Sequence, residues 1–273
     1  MASRSTAPAL QWRRVESLLD HDFNDESLPR AVAVGKGVEF QRLEFLGDRV
    51  LELSVAVGLL HADRGGNPQA AARLAQVVAN TTDNAGLAKV SVSSHLAGLL
   101  GFRASRKRKG DMVEAAAGAL FIDGGWGPLD RFAVATGMVP EPPLRRDLPP
   151  DSAIDTVPDE LLAAVEDATT EGGAALARAR MVGDMVVDAA HAWWAYRTMP
   201  GRDEGVLAPM VHERTSNNRL AAAANRHQLP DSHGRAENRL RAWVGVVTVE
   251  YGRAAGLALT SRLFNLGLPE PGV

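Results

Sequence analysis

The sequence predicts an all-α protein made of two similar helical halves. Apolar residues recur at helical spacing along most of the chain, and no region alternates apolar and polar residues as a half-buried strand does. Prolines cluster over residues 139–158, which indicates a stiff linker between two segments that are each long enough to form a domain. Three short motifs of the first segment recur in the second in the same order. We therefore expect one fold that is present twice.

The composition excludes several classes of protein. The chain contains no Cys, so it can form neither disulfides nor thiolate metal sites. Residues 1–10 lack the apolar core of a secretory signal, and no apolar run reaches the roughly 18 residues that a membrane-spanning helix needs. The net charge of −3 argues against a broad nucleic-acid-binding surface and leaves room only for local patches. We expect a cytoplasmic protein with no membrane partner.

The first half should contain several helices in close succession. Residues 1–10 are expected to be disordered, and apolar spacing predicts a first helix over 12–19. Asn24 or Asp25 is suited to cap the next helix. Further helices are expected over 41–53, over about 69–80 after the chain break at 64–68, from a cap at 82–84 onward, and from 110 onward.

An acidic pair lies on the predicted helix over 41–53. Glu44 and Asp48 are four residues apart, so their side chains project side by side from a helix with a strongly apolar face. Like charges at this spacing repel each other, and an ordinary surface helix gains nothing from them. The pair is therefore either a solvated acidic edge or half of a site for a divalent cation.

A second acidic pair favours the cation site. Asp111 and Glu114 are three residues apart on another predicted helix, and the small residues at 115–119 allow a neighbouring helix to approach closely. Two helices that each carry such a pair can cross and bring four carboxylates together. Oxygen ligands with no Cys nearby suit Mg²⁺ or Mn²⁺.

Together these motifs resemble the catalytic domain of the ribonuclease III family. The resemblance rests on Arg-Leu-Glu-Phe-Leu-Gly-Asp at 42–48 and on Asp-x-x-Glu-Ala at 111–115, which is followed by Gly118, Asp123 and Gly125. Gln41 departs from the family pattern, which usually has Glu at this position. We expect this change to affect interface or RNA contacts and not to abolish metal binding.

The resemblance also implies a chemistry for the site. Its catalytic and metal-binding residues would be Glu44, Asp48, Asp111 and Glu114. They would hold one or two Mg²⁺ ions, which Mn²⁺ can replace, and water activated by the metal would hydrolyse phosphodiesters of double-stranded or structured RNA. The products would carry 5′-phosphate and 3′-hydroxyl ends.

Four basic residues directly precede the second acidic pair, namely Arg106, Lys107, Arg108 and Lys109. A charge run of this kind is usually a solvated loop, but this one adjoins the predicted metal site. We therefore interpret these residues as RNA-binding residues that hold phosphates, with Lys107 placed to neutralise the scissile phosphate or its neighbour.

The second half repeats the motifs with substitutions at the acidic positions. Segments at 180–188, 215–221 and 238–245 align with first-half segments at offsets of 136, 133 and 127 residues. The four acidic positions are then occupied by Arg180, Asp184, Asn238 and Arg241. Because guanidinium groups stay protonated and repel a cation, this second site should be inactive. Its arginines would either pair with Asp184 and Asp188 or grip an RNA phosphate.

These features predict a domain organisation. We expect a ribonuclease III catalytic domain over 11–138, a Pro-rich linker over 139–158 and a degenerate ribonuclease III-like domain over 159–273. The resemblance implies that the two domains pair within one chain as a pseudo-dimer that nicks one strand of a duplex. Two alternatives stay open: a homodimer through the first domains, and a non-catalytic RNA-binding or ribonucleoprotein component that keeps the fold.

Overall fold

A computed structural model describes residues 7–62, 70–100, 104–140, 174–229 and 235–269. The regular structure in these ranges is helical and contains no strand, which confirms the predicted all-α fold. No helix in these ranges is both long enough and apolar enough to cross a bilayer. The predicted linker lies almost wholly outside the described residues, as do residues 159–173 of the predicted second domain.

The helices described in the first half are α1 (Ala7–Leu19), α2 (Ser27–Val34), α3 (Val38–Ala62), α4 (Ala70–Thr82), α5 (Asn84–Ser93), α6 (Ala97–Leu100), α7 (Arg106–Gly124) and α8 (Trp126–Ala135). Those described in the second half are α9 (Ala174–Thr198), α10 (Glu204–Arg214), α11 (Asn217–Arg226), α12 (Ala236–Tyr251) and α13 (Arg253–Leu263). The two longest, α3 and α9, each have 25 residues and occupy corresponding places in the two halves.

Polar side chains begin several of these helices, as the sequence predicts. Asp83 caps α5 by accepting hydrogen bonds from the backbone N–H groups of Ala85 and Gly86. The N-cap of α2 is Glu26, whose side chain makes no capping hydrogen bond, so the prediction of Asn24 or Asp25 as the cap is wrong. The Asp25 carboxylate instead accepts the backbone N–H of Ser27 at 2.8 Å, just inside the helix. Both Asp83 and Asp25 satisfy N–H groups that have no partner inside the first turn of a helix.

The first helix begins inside the segment 1–10 that the sequence predicts to be disordered. The helix α1 begins at Ala7, and Pro8 is compatible with the first turn of a helix because its missing N–H would have no intrahelical partner. Trp12 and Val15 on the same helix are buried, which ties α1 to the core.

The first residue of the predicted linker, Val139, packs against the first half. The side chain of Val139 is buried and packs against Gly58 of α3. Because Gly58 has no Cβ, the isopropyl group of Val139 can lie directly on the helix. Val139 thus belongs to the packed part of the first half, next to the predicted boundary.

A glycine-mediated crossing organises the first half. Gly47 of α3 lies against the backbone of Glu114 and Gly118 on α7, and Gly118 in turn lies against the backbone of Leu43. The absence of a Cβ on both glycines lets the two helix backbones touch. The residues that follow Glu114 on α7, including Ala115, Ala116 and Ala117, are fully buried around the crossing.

The second half contains the same crossing. Gly183 of α9 lies against the backbone of Arg241 and Gly245 on α12, and Gly245 lies against the backbone of Ala179. These contacts match those of α3 with α7, residue for residue, in the register that aligns the motifs of the two halves. The helices α9 and α12 therefore repeat the geometry of the first pair.

The two halves pack against each other through one continuous hydrophobic core. Phe121 of α7 packs edge-on against Trp193 of α9, with ring centroids 5.3 Å apart. The hydroxyl of Tyr196 on α9 donates a 2.6 Å hydrogen bond to Glu39 of α3, and the guanidinium of Arg42 lies 4.2 Å from the centre of the tyrosine ring. The first half thus pairs with the second half within one chain.

Candidate metal centre

The crossing of α3 and α7 places three carboxylates together. Glu44 on α3 and both Asp111 and Glu114 on α7 each present an oxygen atom, and these atoms lie within 4.8 Å of one another. Gly47 is one turn from Glu44 and allows the close approach, so the glycine of the motif positions the acidic residues around it. Among the described residues this is the one group of three or more His, Asp or Glu side chains that converges in this way.

The proximity of these carboxylates makes their ionisation unfavourable. Burial, together with the negative charges of Asp48, Glu44 and Asp111, raises the pKa of Glu114 to about 9. Burial and the charge of Asp111 raise the pKa of Glu44 to about 7. A site in which carboxylates resist ionisation has a strong electrostatic demand for a cation.

Lys107 partly meets this demand. Its ammonium donates to Asp111 at 2.9 Å and to Glu44 at 3.4 Å. The hydrogen bond to Asp111, together with the charges of both carboxylates, raises the pKa of Lys107. Its side chain is 68% exposed, so the ammonium reaches the acidic group from the solvent side.

Asp48 occupies a different position from the other three predicted ligands. Its carboxylate contacts the guanidinium of the adjacent Arg49, and its oxygens are not part of the converging group. Asp48 is nevertheless close enough to raise the pKa of Glu114. The structure thus brings three of the four predicted ligands together and leaves the fourth beside them.

The donor set of this site fits a hard divalent cation. The converging ligands are carboxylate oxygens alone, the cluster is partly buried, and the raised pKa values of Glu44 and Glu114 show that ionisation is unfavourable unless a cation is bound. A small ion that keeps several water molecules is suited to such a site, because three side chains cannot fill its coordination shell. The cluster can therefore hold a metal ion.

The four basic residues at 106–109 form the first turn of α7 and not a loop, with Ser105 as the N-cap. They do not act as a single patch. Lys107 contacts the acidic cluster, whereas the guanidinium of Arg108 donates to the backbone oxygen of Gly35 at 3.0 Å. Arg106 is exposed and Lys109 is half-buried. Their positions on a helix turn point them in different directions, which the sequence run does not reveal.

The equivalent positions of the second half also lie together. Arg241 of α12 donates from Nε to Asp184 of α9 at 2.5 Å and from one terminal nitrogen to Asn217 at 2.9 Å. Asn238 lies one turn before Arg241, and Arg180 lies one turn before Asp184. Arg241 therefore pairs with an acidic residue, as one of the two alternatives for this side chain predicts.

The sequence does not predict two charged residues near the sites. Glu204, in the first turn of α10 in the second half, is close enough to Glu44 to contribute to its raised pKa. Glu52 on α3 has a pKa raised to about 6 by burial and by the charges of Asp48, Asp188 and Asp184. No local pattern marks either residue, because these interactions cross between the two halves. Glu204 raises the pKa of Glu44, and Asp184 and Asp188 raise the pKa of Glu52.

Comparison with a family model matches residues 41–125 to the Ribonuclease III domain. This segment contains all the acidic residues of the candidate centre. A solved structure of Giardia Dicer has a similar fold, with a TM-score of 0.56 and 13% sequence identity, covering 85% of this chain and 54% of that chain. The likeness in fold therefore extends over both halves.

Several curated proteins named Ribonuclease 3 are similar in sequence to part of this chain. The Rhizobium etli (strain CIAT 652) protein is 33% identical over 145 residues, which are 48% of this chain and 60% of the relative. The Phenylobacterium zucineum protein is 35% identical over 136 residues, which are 46% of this chain and 57% of the relative. The chain thus spans at most about 60% of the length of these relatives.

Proposed function

We propose that the chain is a metal-dependent endoribonuclease that hydrolyses phosphodiesters of double-stranded or structured RNA, with one active site per chain. The observation that carries this proposal is the convergence of Glu44, Asp111 and Glu114 inside the segment that matches the Ribonuclease III domain. The products of this reaction class carry 5′-phosphate and 3′-hydroxyl ends. A cytoplasmic location belongs to the same proposal.

We assign the cation to Mg²⁺, which Mn²⁺ can replace. Glu44, Asp111 and Glu114 would hold it, and Asp48, which contacts Arg49 in this structure, is the proposed fourth ligand. A bound Mg²⁺ lowers the pKa of a water molecule and stabilises charge on the reacting phosphate. The partial burial of the carboxylates lowers the local dielectric constant and strengthens their attraction for a cation.

The residues around the centre contribute charge on its solvent side. The ammonium of Lys107 reaches the acidic cluster from solvent, so it can neutralise a phosphate that approaches the cluster. Arg106 is exposed on the same helix turn and is available to a neighbouring phosphate. Arg108 and Lys109 remain proposed RNA-binding residues, with Arg108 also fixing the end of α2 through Gly35.

The second half is proposed to be a degenerate copy of the first. The matching glycine crossings and the likeness to Giardia Dicer over 85% of the chain support this assignment. Arg241 occupies the position that corresponds to Glu114 and pairs with Asp184. The second site therefore lacks the negative charge that would attract a cation. A duplex that lies across both halves would then meet one cutting site and be nicked.

A duplex RNA labelled on either strand tests this proposal. The wild-type chain, with Mg²⁺, should produce nicked strands on a denaturing gel while the duplex stays intact on a native gel. Glu114→Gln should abolish the cleavage, whereas the matched variant Asp184→Asn in the second half should retain it. Both substitutions replace a carboxyl group by an amide of nearly the same size.

Three other results would each change the proposal. Concerted cleavage of both strands at low enzyme concentration would show two active sites per particle. Equal loss of activity in Glu114→Gln and Asp184→Asn would show that the second site participates. If no RNA were cleaved but duplex binding were retained, the chain would instead be a non-catalytic RNA-binding component.

A further inference from the structure

We propose that a buried ion pair between Arg253 and Asp130 determines which partner the first half accepts, so that it pairs with the second half of the chain and rejects a second copy of itself. Asp130 lies on α8 of the first half, and Arg253 begins α13 of the second. The proposal concerns the choice of partner and does not depend on nuclease activity.

The ion pair has the geometry of a specific, desolvated contact. The two terminal nitrogens of Arg253 donate to the two carboxylate oxygens of Asp130, at 2.7 and 2.5 Å. The side chains are only 5% and 4% exposed. Ser54 of α3 accepts a 2.9 Å hydrogen bond from Arg253 and donates a 2.9 Å hydrogen bond to Asp130. Such bidentate pairs are strong and directional.

The same guanidinium also lies over an aromatic ring of the first half. The centre of the Trp126 ring is 4.3 Å from the guanidinium carbon of Arg253. Arg253 is thus held on one side by a carboxylate and a hydroxyl and on another by a ring, and the first half supplies all three groups. Asp130, Ser54 and Trp126 of the first half therefore form a binding site for a guanidinium group, which we call the socket.

The described positions of the second half that correspond to this socket do not repeat it. Gly125 and Gly252 both have positive φ, and each ends one helix and begins the next, so they fix the register of the two halves at this point. In this register Arg253 corresponds to Trp126, directly after each glycine. Asp130 then corresponds to Leu257, which is buried and apolar.

The third member of the socket is lost as well. In the register set by Gly47 and Gly183, Ser54 corresponds to Ala190, which is fully buried. The ion pair therefore occurs once per interface and not twice, as it would in a two-fold arrangement of identical halves. This asymmetry makes the interface selective.

Identical halves would leave these charges without partners. Two first halves would bring Trp126 to the position of Arg253 and would bury two Asp130 carboxylates with no cation. Two second halves would bury two Arg253 side chains among apolar residues. A buried charge that loses its partner is strongly destabilising, whereas the paired charges are tolerated. The pair thus acts chiefly against the wrong partner, which is how many specific interfaces discriminate.

Charge reversal tests this proposal in the full-length chain. Asp130→Arg places two guanidiniums together, and Arg253→Asp places two carboxylates together, so each variant alone should lose the correct pairing. The double variant Asp130→Arg with Arg253→Asp should restore a monomer near the 29.1 kDa mass of the chain. Native mass spectrometry at low micromolar concentration measures the outcome.

Mixing the two single variants gives the sharpest result. If two such chains exchange halves, both of their interfaces regain an Arg–Asp pair. A one-to-one heterodimer of twice the chain mass should therefore exceed either self-dimer by at least tenfold, and wild type treated in the same way should stay monomeric. Charge reversal of the exposed pair Glu213 and Arg219 is the matched control and should leave the mass unchanged.

A neutral variant covers the case in which the reversed variants fail to fold. Asp130→Leu with Arg253→Leu replaces the buried pair by apolar groups, an exchange that proteins often tolerate. This variant should fold and form dimers at concentrations at which wild type is a monomer. The proposal would be overturned if the neutral variant were as monomeric as wild type, or if the mixture yielded no heterodimer. A wild-type chain that is itself a stable dimer would also overturn it.

Discussion

The backbone oxygen of Glu114 lies 1.7 Å from the position that a Cβ on Gly47 would occupy. The metal-binding geometry and the packing of α3 on α7 therefore depend on the same contact. A glycine inside a helix is usually unfavourable, by roughly 1 kcal/mol relative to alanine. Here it is required, because any side chain would push the two acidic pairs apart.

Gly47→Ala should accordingly destabilise the fold by about 3 kcal/mol or more, since overpacking against rigid backbone cannot be relieved by a side-chain movement. Gly98→Ala is the matched control, because its added methyl group would meet only the flexible end of Arg14 at 3.7 Å. Urea unfolding followed by circular dichroism measures both. Equal stability of the two variants would show that α3 and α7 do not cross this closely.

Without metal, the contribution of Glu114 to the stability of the protein should fall as the pH rises. The pKa of Glu114 is about 9 in the folded protein and near 4.5 in the unfolded chain, so its contribution is fully present below pH 4.5 and is lost as the pH rises toward 9. Glu114→Gln mimics the protonated form and should be more stable than wild type at pH 8.5 by on the order of 2 kcal/mol. Urea unfolding in EDTA from pH 5 to 9 tests this, and parallel curves for the two proteins would contradict it.

Binding of Mg²⁺ should release protons. The pKa values of Glu44 and Glu114, about 7 and about 9, mean that both carboxyl groups must ionise to hold a cation at neutral pH. Titration calorimetry at pH 7 in two buffers with different ionisation enthalpies measures the released protons directly. We expect net release for wild type and Asp184→Asn, and little binding for Glu114→Gln. Identical heats in the two buffers would contradict the raised pKa values.

His191 should make the fold sensitive to acid. Its ring is fully buried, Nδ1 lies 2.8 Å from the Val187 oxygen, and burial lowers its pKa to about 4. Because the pKa is depressed, its contribution to stability is present above pH 6.5 and is lost as the pH falls toward 4, by up to about 3 kcal/mol. His191→Asn keeps a hydrogen-bonding nitrogen near that position but does not titrate.

The free energy of unfolding of wild type, minus that of His191→Asn, should therefore increase as the pH rises from 4 to 6.5. The exposed His212 supplies the control, because His212→Asn should leave the wild-type slope in place. A wild-type slope in both variants would show that another group causes the acid sensitivity.

Asp123 should contribute to stability and not to metal binding. One of its carboxylate oxygens accepts the backbone N–H groups of Asn24 and Asp25, at 2.9 and 3.0 Å, and the other lies 2.8 Å from His21. Asp123→Ala should cost about 2–4 kcal/mol because several hydrogen bonds to a charged acceptor are lost. The control Asp22→Ala changes an exposed side chain and should stay within about 0.5 kcal/mol of wild type. A loss of Mg²⁺ binding without loss of stability would refute this assignment.

Much of the fold follows from the sequence because its signals are local. Apolar spacing predicts the helices, the cap at Asp83 predicts the start of α5, and the spacing of Glu44 with Asp48 and of Asp111 with Glu114 predicts two acidic faces. The repeated motifs also predict two halves, since each copy carries its own glycine at the helix crossing. These features depend on neighbours along the chain, and periodicity records such neighbours faithfully.

Only the tertiary structure decided which groups meet across the molecule. Asp48 lies outside the converging cluster, and Lys107 contacts Glu44, which is 63 positions away in the chain. The pair of Arg253 with Asp130 joins residues 123 positions apart in the chain. Nothing in the local pattern marks such contacts, because they arise where the two helical halves bury a common surface. A charge that is buried in this surface needs an oppositely charged partner.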